Sequence, residues 1–556
     1  MALRLITGRS GQGKTEYLVQ EVIRLSMENP QQKYYVIVPE QFSLEMQRKM
    51  VKKHPRHGFF NIDVLSFHRL AYRIFDECGY QPGEILEDLG VSMMLRKILS
   101  EGENNFLYFK KSMKKAGFID ELKSMLMEFI GYGVTWEQVE EVSEKLGENK
   151  ALSNKCKELG RIYEHFDKAI EGRFMVTEQI LDVAREFAKE APMLTNAVFY
   201  FDGFAGFTPV QLAFLKELLK VAGQINVTIT IPEFVPGQRG MPEDLFTSSK
   251  KTGDALLMLC QENMQEVEEV VKLDTPVSPR FINNPELAFL EKNLFQNSRK
   301  IYSKKIERIH MTVCHNPDGE ADYVMHKIEQ LVRQKGYRYR DFAVLSGDVA
   351  DYASAFKRKA AILNIPVFED TKKKVSYHSG VEAVRSLFHL AQMEYSYESV
   401  FRYLKSGMSN LIDEDADYLE NYVLYAGVRG YSMWKKPFYR RLKNKDEAAI
   451  KALLLLQEKF MEETENFCSV MRDKEASVRD KIEVLYHTMV KLSFEEKLKN
   501  QAQKAEENSD FVKAAEYRQL YDLLLSLMDK IVMIFGEEKM AVKELAEIVD
   551  AGLDAL

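Results

Sequence analysis

Cysteine is scarce in this sequence, and what there is stands scattered. Five residues in 556, Cys78, Cys156, Cys260, Cys314 and Cys468, form no CxxC pair and no His/Cys cluster at ligand spacing. That pattern excludes a disulfide framework and a zinc site, and it predicts reduced, mostly buried thiols. An excess of positive charge is also missing. Seventy-seven Lys and Arg against 84 Asp and Glu leave a formal net charge of −7, so nucleic-acid contact requires a local stripe and not a global field. No window offers some 18 apolar residues without charge, and Leu3-Arg4-Leu5-Ile6-Thr7 is too short for a secretory segment before the glycines begin. A cytoplasmic chain with no membrane partner is expected. What remains, 46% apolar and 29% charged residues, is the composition of an ordinary globular protein. At roughly 150 residues per domain the length predicts about three to four domains.

Residues 3 to 7 form an apolar run ending in Gly8, and Tyr17, Leu18, Val22 and Leu25 follow at helical spacing, which predicts strand, loop and helix in succession. Further strands are expected at Tyr34 to Val38, stopped by Pro39, and at Ile62 to Leu65. Such alternation predicts an α/β fold built on a parallel sheet. From Glu87 to Phe187 the pattern is helical, with a capping box at Thr135-Trp136-Glu137-Gln138. Strand signals return at Ala197 to Phe201 and Ile225 to Ile231, so the first domain is expected to be discontinuous, over 1–86 and 188–295, around a helical insertion at 87–187. A second α/β domain is expected over 296–390, with strands at Ile309 to Val313, Phe342 to Leu345 and Val367 to Phe368 and a helix from Gly319 to Gln334. Residues 391–556 read as helical throughout.

Gly8-Arg9-Ser10-Gly11-Gln12-Gly13-Lys14-Thr15 fits GxxxxGK[ST], the P-loop pattern. Its glycines let successive backbone N–H groups face a phosphate, Lys14 reaches the β and γ oxygens, and the Thr15 hydroxyl ligates magnesium. ATP and Mg are therefore the expected ligands, against the competing reading of a tight turn that holds no nucleotide. A P-loop ATPase also needs an acidic residue at a neighbouring strand end, with a second carboxylate to orient water. Asp202 follows Ala197-Val198-Phe199-Tyr200-Phe201 and suits the first role as a magnesium ligand. Gly203 follows it and has no group with which to activate water, so no catalytic residue is assigned.

Three further segments carry a family resemblance. Phe201-Asp202-Gly203-Phe204-Ala205-Gly206-Phe207-Thr208-Pro209-Val210-Gln211 keeps the register of the DEFQDTxxxQ-type motif of superfamily 1 DNA helicases, with its Glu, Gln and second Asp replaced. Val38-Pro39-Glu40-Gln41-Phe42-Ser43-Leu44-Glu45 resembles their motif Ia, and Ser66-Phe67-His68-Arg69-Leu70-Ala71 is similar to the TFHxLA segment that lines the single-stranded DNA path. Together with the P-loop, these segments resemble the AddB family, the helicase-like and nuclease subunits of bacterial AddAB, from residue 1 to about 390.

The resemblance implies P-loop domains of the superfamily 1 helicase type with large helical insertions. It also implies an inactivated helicase that binds ATP and holds single-stranded DNA behind an AddA-like motor partner in a heterodimer. The family's complex acts on DNA ends, resects double-strand breaks for recombinational repair, and scans for the recombination hotspot Chi. Leu345-Ser346-Gly347-Asp348 lacks the arginine that motor helicases carry near this strand, which again points away from a motor. The family's nuclease domain and its iron-sulfur cysteines belong to a C-terminal half, and nothing here supplies four suitable cysteines or an acidic-Lys cluster, so the chain is expected to be an N-terminal piece without nuclease. The alternative is an autonomous P-loop enzyme, motor ATPase or phosphotransferase, in which another carboxylate replaces the one absent after Asp202.

Because open α/β sheets bind ligands at the carboxyl ends of their strands, Gln41, Ser43, Phe67, His68 and Arg69 are expected to converge on one DNA groove. Phe67 and Arg69 suit stacking on bases, and Gln41, Ser43 and His68 suit hydrogen bonds to base edges. The competing reading places Phe67 in the core and pairs Arg69 with a carboxylate. Trp434-Lys435-Lys436-Pro437-Phe438-Tyr439-Arg440-Arg441-Leu442-Lys443 interleaves aromatics with five positive charges and is a second candidate DNA surface. Lys372-Lys373-Lys374 and Lys52-Lys53-His54-Pro55-Arg56 are weaker candidates. Solvated charged faces compete with all three.

Overall fold

The computed structural model describes residues 2–101, 106–113, 115, 117–146, 150–238, 240, 244–294, 300–368, 375, 378–438 and 447–556. Short runs of β-branched and aromatic residues form β1 (Ala2–Gly8), β2 (Tyr34–Ile37), β3 (Ile62–Leu65), β4 (Glu84–Leu86), β5 (Phe174–Val176), β6 (Val198–Phe201), β7 (Gln224–Thr230), β8 (Glu266–Val267) and β9 (Val271–Lys272). Seven of them make one parallel sheet in the order β3-β2-β6-β7-β1-β8, with β9 also on β1. β4 and β5 pair separately, also in parallel.

Parallel strands are buried on both faces, and the residues of β2 divide accordingly. Tyr34 and Val36 join a core with Leu18, Val22 and Met50 under α1 (Lys14–Glu28) and α2 (Ser43–Lys53). Tyr35 and Ile37 face the other way, among Phe199, Phe201 and Leu70 under α3 (Phe67–Cys78). The parallel arrangement also puts the segments that leave β1, β2, β3 and β6 along one edge of the sheet, where the P-loop, Pro39–Phe42, Ser66–Arg69 and Asp202–Phe204 stand.

Among the described residues, the stretch from 87 to 187 is helix and turn apart from β5. At Thr135 the backbone N–H donates to Gln138 Oε1 at 3.1 Å, closing the expected capping box. A helix over Asp88–Glu101, α4, packs on Val542–Ala555, and Lys97 donates to Glu538 at 2.7 Å. Residues from both helical stretches, such as Leu95, Leu126 and Phe166 on one side and Leu387, Phe460 and Leu545 on the other, share a single hydrophobic core.

The region between 300 and 368 departs from expectation. Helices Pro317–Lys335 and Val349–Leu363 are present and pack around Met325, Ile328, Ala360 and Ile365. However, Ile309 to Val313, Phe342 to Leu345 and Val367 to Phe368 form no strand. A strand exists only where a neighbour completes its ladder, and Met311 (94% exposed), Val313 (92%) and Leu345 (95%) face no such neighbour among the described residues. Among the described residues, no helix is long and apolar enough to cross a membrane.

Candidate nucleotide site and the strand-end edge

β1 delivers the chain to Gly8, and α1 begins at Lys14, so the intervening loop must turn within five residues, 9–13. It does so through left-handed backbone at Gly11 (φ 77°) and Gly13 (φ 91°), which side-chain-bearing residues rarely adopt. Gly11 has a second reason to be glycine. A Cβ there would lie 2.6 Å from Ser278 Oγ and 2.8 Å from Arg280 Cβ.

Lys14 Nζ donates to the carbonyls of Gly8 at 2.8 Å and Arg9 at 3.1 Å, which holds the ammonium inside the turn. Burial lowers its pKa from 10.5 to about 8; Asp202 and Glu291 work against that shift and Arg280 adds to it. The Thr15 hydroxyl donates to Asp202 Oδ2 at 2.7 Å, and Thr228 donates to the other oxygen, Oδ1, at 2.6 Å. The buried Asp202 is thus fixed by one hydroxyl from α1 and one from β7. Gly203, just after it, is left-handed (φ 82°) and stands beside Pro39, whose Cδ would be 3.5 Å from a Cβ at that position.

A cleft of about 800 Å³ opens over these residues, lined by Gly11, Lys14, Thr15, Asp202, Thr228 and Arg280 among others. A glycine loop at the N-terminus of a 15-residue helix, one lysine in the turn and one arginine at the rim are donors that could hold a phosphate. Thr15 and Asp202, a hydroxyl and a carboxylate at hydrogen-bond distance, are oxygen groups of the kind that could hold a magnesium ion.

A strap that follows β9 closes one side of the loop. Leu273 N–H donates to Thr7 O at 2.8 Å, extending the β1–β9 pairing. Gln12, buried, accepts from Thr275 Oγ1 at 2.7 Å and from its N–H at 3.2 Å, and donates to Thr275 O at 3.2 Å. Ser278 donates to Ser10 O at 3.3 Å, and Arg9, also buried, lies 3.9 Å from both Asp274 and Glu291.

Thr228, Arg280 and Glu291 escaped the sequence reading. For Thr228 a signal existed, since Asn226, Thr228 and Thr230 alternate with Ile225, Val227 and Ile229 and put a polar row on one face of an interior strand. Arg280 and Glu291 lie in the polar stretch after β9, where nothing local marks them.

The residues expected to touch DNA divide. Gln41 is exposed in the turn Glu40–Phe42, Arg69 is exposed in the first turn of α3, and His68 Nδ1 lies 3.6 Å from Glu40 Oε2, so these three share the edge. Arg69 forms no ion pair among the described residues, and its backbone N–H donates to Ser66 Oγ, the cap of α3, at 3.4 Å. Phe67 is turned inward, with ring centroids 5.6, 5.4, 6.3 and 6.2 Å from those of Phe201, Phe204, Phe207 and Phe214. Its ring therefore has no free face for a base, and the core alternative describes it. Ser43 is buried at the start of α2, with its hydroxyl unpartnered.

The second candidate surface is corrected in its aromatic half. Trp434 and Phe438 are buried against each other at 5.8 Å and held by Gln457, which donates to the Trp434 carbonyl. Their rings are core, and Lys435 is paired with Glu465 at 3.0 Å. Residues 439–443 lie outside the described residues, as do Lys372, Lys373 and Lys374. Of the third candidate, Lys53 is paired with Glu16 and His54 is buried.

Comparison with known proteins adds a family to this geometry. A family model described as ADDB, N-terminal matches residues 5–291. The chain is 32% identical to an ATP-dependent helicase/deoxyribonuclease subunit of Lachnoclostridium phytofermentans, across 99% of this chain and 49% of that relative. The subunits of the same name from a Thermoanaerobacter species and from Clostridium botulinum are 32% and 30% identical, each over 100% of this chain and 49% of their own length. The chain thus spans about half the length of the curated relatives it matches, 49% for each of these three.

Proposed function

The chain belongs to the family described as ADDB, N-terminal, and from that premise we propose that it is an ATP-binding, helicase-like subunit without motor activity. In this reading residues 1–86 and 188–295 form a P-loop domain of the superfamily 1 helicase type, 87–187 and 391–556 are its helical insertions, and 296–390 begins a second such domain. The phosphates lie over Gly8 to Lys14, with Lys14 and Arg280 as their cations. Thr15 and Asp202 would hold magnesium, which neutralises phosphate charge when bound.

The observation that carries the non-motor reading is Asp202 followed by Gly203. The strand end keeps the residue that organises the cation and lacks the carboxylate that orients water, and its left-handed backbone suits glycine. Nucleotide then serves as a structural ligand that ties α1, β6 and β7 together, with hydrolysis slow. The force for unwinding comes from an AddA-like partner in a heterodimer, which fits the naming of the relatives as subunits of a helicase/deoxyribonuclease.

On the same reading, Gln41, His68 and Arg69 at the strand-end edge face single-stranded DNA passed from the motor and scan it for Chi, while the complex resects DNA ends in the cytoplasm for recombinational repair. Ser43 contributes only if its buried hydroxyl becomes accessible. On this reading neither deoxyribonuclease activity nor an iron-sulfur cluster is assigned to these residues. The test is ATP binding and hydrolysis by the purified chain with and without single-stranded DNA. Binding with slow turnover that DNA does not accelerate supports the reading, and rapid DNA-dependent turnover overturns it.

A further inference from the structure

Three carboxylates line the cleft: Glu16, Asp202 and Glu291. Two are committed. Glu16 accepts from Lys53 and Gln20, and Asp202 accepts from Thr15 and Thr228. Glu291 differs from both. Its side chain is only 15% exposed, yet among the described residues it makes no hydrogen bond, and its nearest cation is Arg9 Nε at 3.9 Å, too long for one. Its carboxylate oxygens are therefore open to a water in the cleft that it lines.

Its mounting is firm. Glu291 sits on the helix Pro285–Asn293, capped by Asn284, whose Oδ1 accepts from Leu287 N–H at 3.3 Å. The buried Glu286 anchors the same helix by accepting from the N–H groups of Glu307 and Arg308 at 2.9 Å each. Arg280, on the same strap, reaches over Gly11, so the strap brings one cation and one carboxylate to the rim above Lys14.

We infer that Glu291 supplies the water-orienting carboxylate that Gly203 cannot, and that the chain's residual ATP hydrolysis runs through it. The inference rests on the reading of this loop as a triphosphate site. The water oxygen attacks the γ-phosphorus, and the bond from that phosphorus to the β–γ bridging oxygen breaks. ADP leaves with the electron pair, and the proton given up by water passes to the Glu291 carboxylate and then to solvent. Turnover is slower than a motor's because the carboxylate rides on a strap outside the sheet and not on the strand end beside Asp202.

The test measures two quantities on the 556-residue chain: ATP affinity with a fluorescent analogue, and the single-turnover hydrolysis rate. Glu291→Gln keeps the shape and removes the base, so hydrolysis should fall roughly 10²-fold with affinity nearly unchanged. Glu291→Asp, which keeps the carboxylate, should retain part of the rate, and circular dichroism checks that both variants fold. Unchanged hydrolysis in Glu291→Gln, or a wild type that binds ATP with no turnover, overturns the inference and leaves the nucleotide site standing. A wild type that does not bind ATP overturns the site itself and the inference with it.

Discussion

Thr15 and Asp202 stand 187 residues apart in the chain, and the hydroxyl of the first donates to the carboxylate of the second at 2.7 Å. This contact closes α1 onto the strand end of β6. Because Thr228 takes the other oxygen at 2.6 Å, Asp202 is held from both sides.

Removing it should therefore register twice. Asp202→Ala leaves the buried Thr228 hydroxyl and the half-buried Thr15 hydroxyl without their acceptor, at a cost of about 1 to 3 kcal/mol in unfolding free energy. It should also abolish the dependence of ATP affinity on magnesium. Denaturant unfolding and nucleotide titration with and without Mg check the two effects separately.

Lys14→Ala removes a charge-assisted phosphate contact, and the loss should be about 1.5 to 3 kcal/mol of ATP affinity, roughly ten- to a hundredfold. Equal affinities in wild type and variant would contradict the assignment.

The same lysine predicts a pH dependence. Burial sets its pKa at about 8, below its ordinary 10.5. A bound phosphate favours the protonated form, so ATP affinity should be level below about pH 8. Above it the free protein has lost the proton that binding requires, and affinity should fall by up to about tenfold per pH unit. Lys14→Arg stays protonated and should flatten this fall.

Gly203→Glu should not create a motor. Any side chain at φ 82° is strained, which costs roughly 1 kcal/mol in stability. Steady-state ATP hydrolysis should not acquire DNA dependence in this variant.

Phe67 and Arg69, two residues apart in one motif, should behave oppositely. Phe67→Ala empties a site among four rings and should cost about 3 to 5 kcal/mol in an unfolding experiment. Arg69→Ala, exposed and without an ion pair among the described residues, should leave stability within about 0.5 kcal/mol. Placed in a heterodimer with a motor subunit, Arg69→Ala or Gln41→Ala should relax the response to Chi while ATP-driven unwinding continues. Loss of unwinding to the same extent as recognition would contradict the scanning role.

Local chemistry explains which of these features the sequence reveals. β1 and the loop after it are readable because an apolar run followed by Gly8, Gly11 and Gly13 admits few conformations, and Asp202 is readable because Phe201 ends a strand of aromatic residues. Thr228 is readable in principle from its alternation with Val227 and Ile229. The contacts of Gln12 with Thr275 and of Arg9 with Glu291 are not, because they depend on the pairing of the two-residue strand β9 with β1 across some 260 positions. For the same reason the shared core of Leu95 and Leu545 is invisible to patterns within either helical stretch. The unpaired segments around Val313 and Leu345 show the converse, since strand propensity without a neighbour forms no strand. Phe67 resembles a DNA-facing aromatic in its motif, and only the packing of Phe201, Phe204, Phe207 and Phe214 shows that its ring is spoken for.

The most direct measurement is ATP turnover by the purified chain, with and without single-stranded DNA, on samples whose ATP occupancy is measured in parallel. Saturable, Lys14-dependent binding is expected, together with turnover far below the roughly 1 to 100 per second of a working phosphoryl-transfer enzyme and no acceleration by DNA. Turnover in that range, rising with single-stranded DNA, would contradict the non-motor reading.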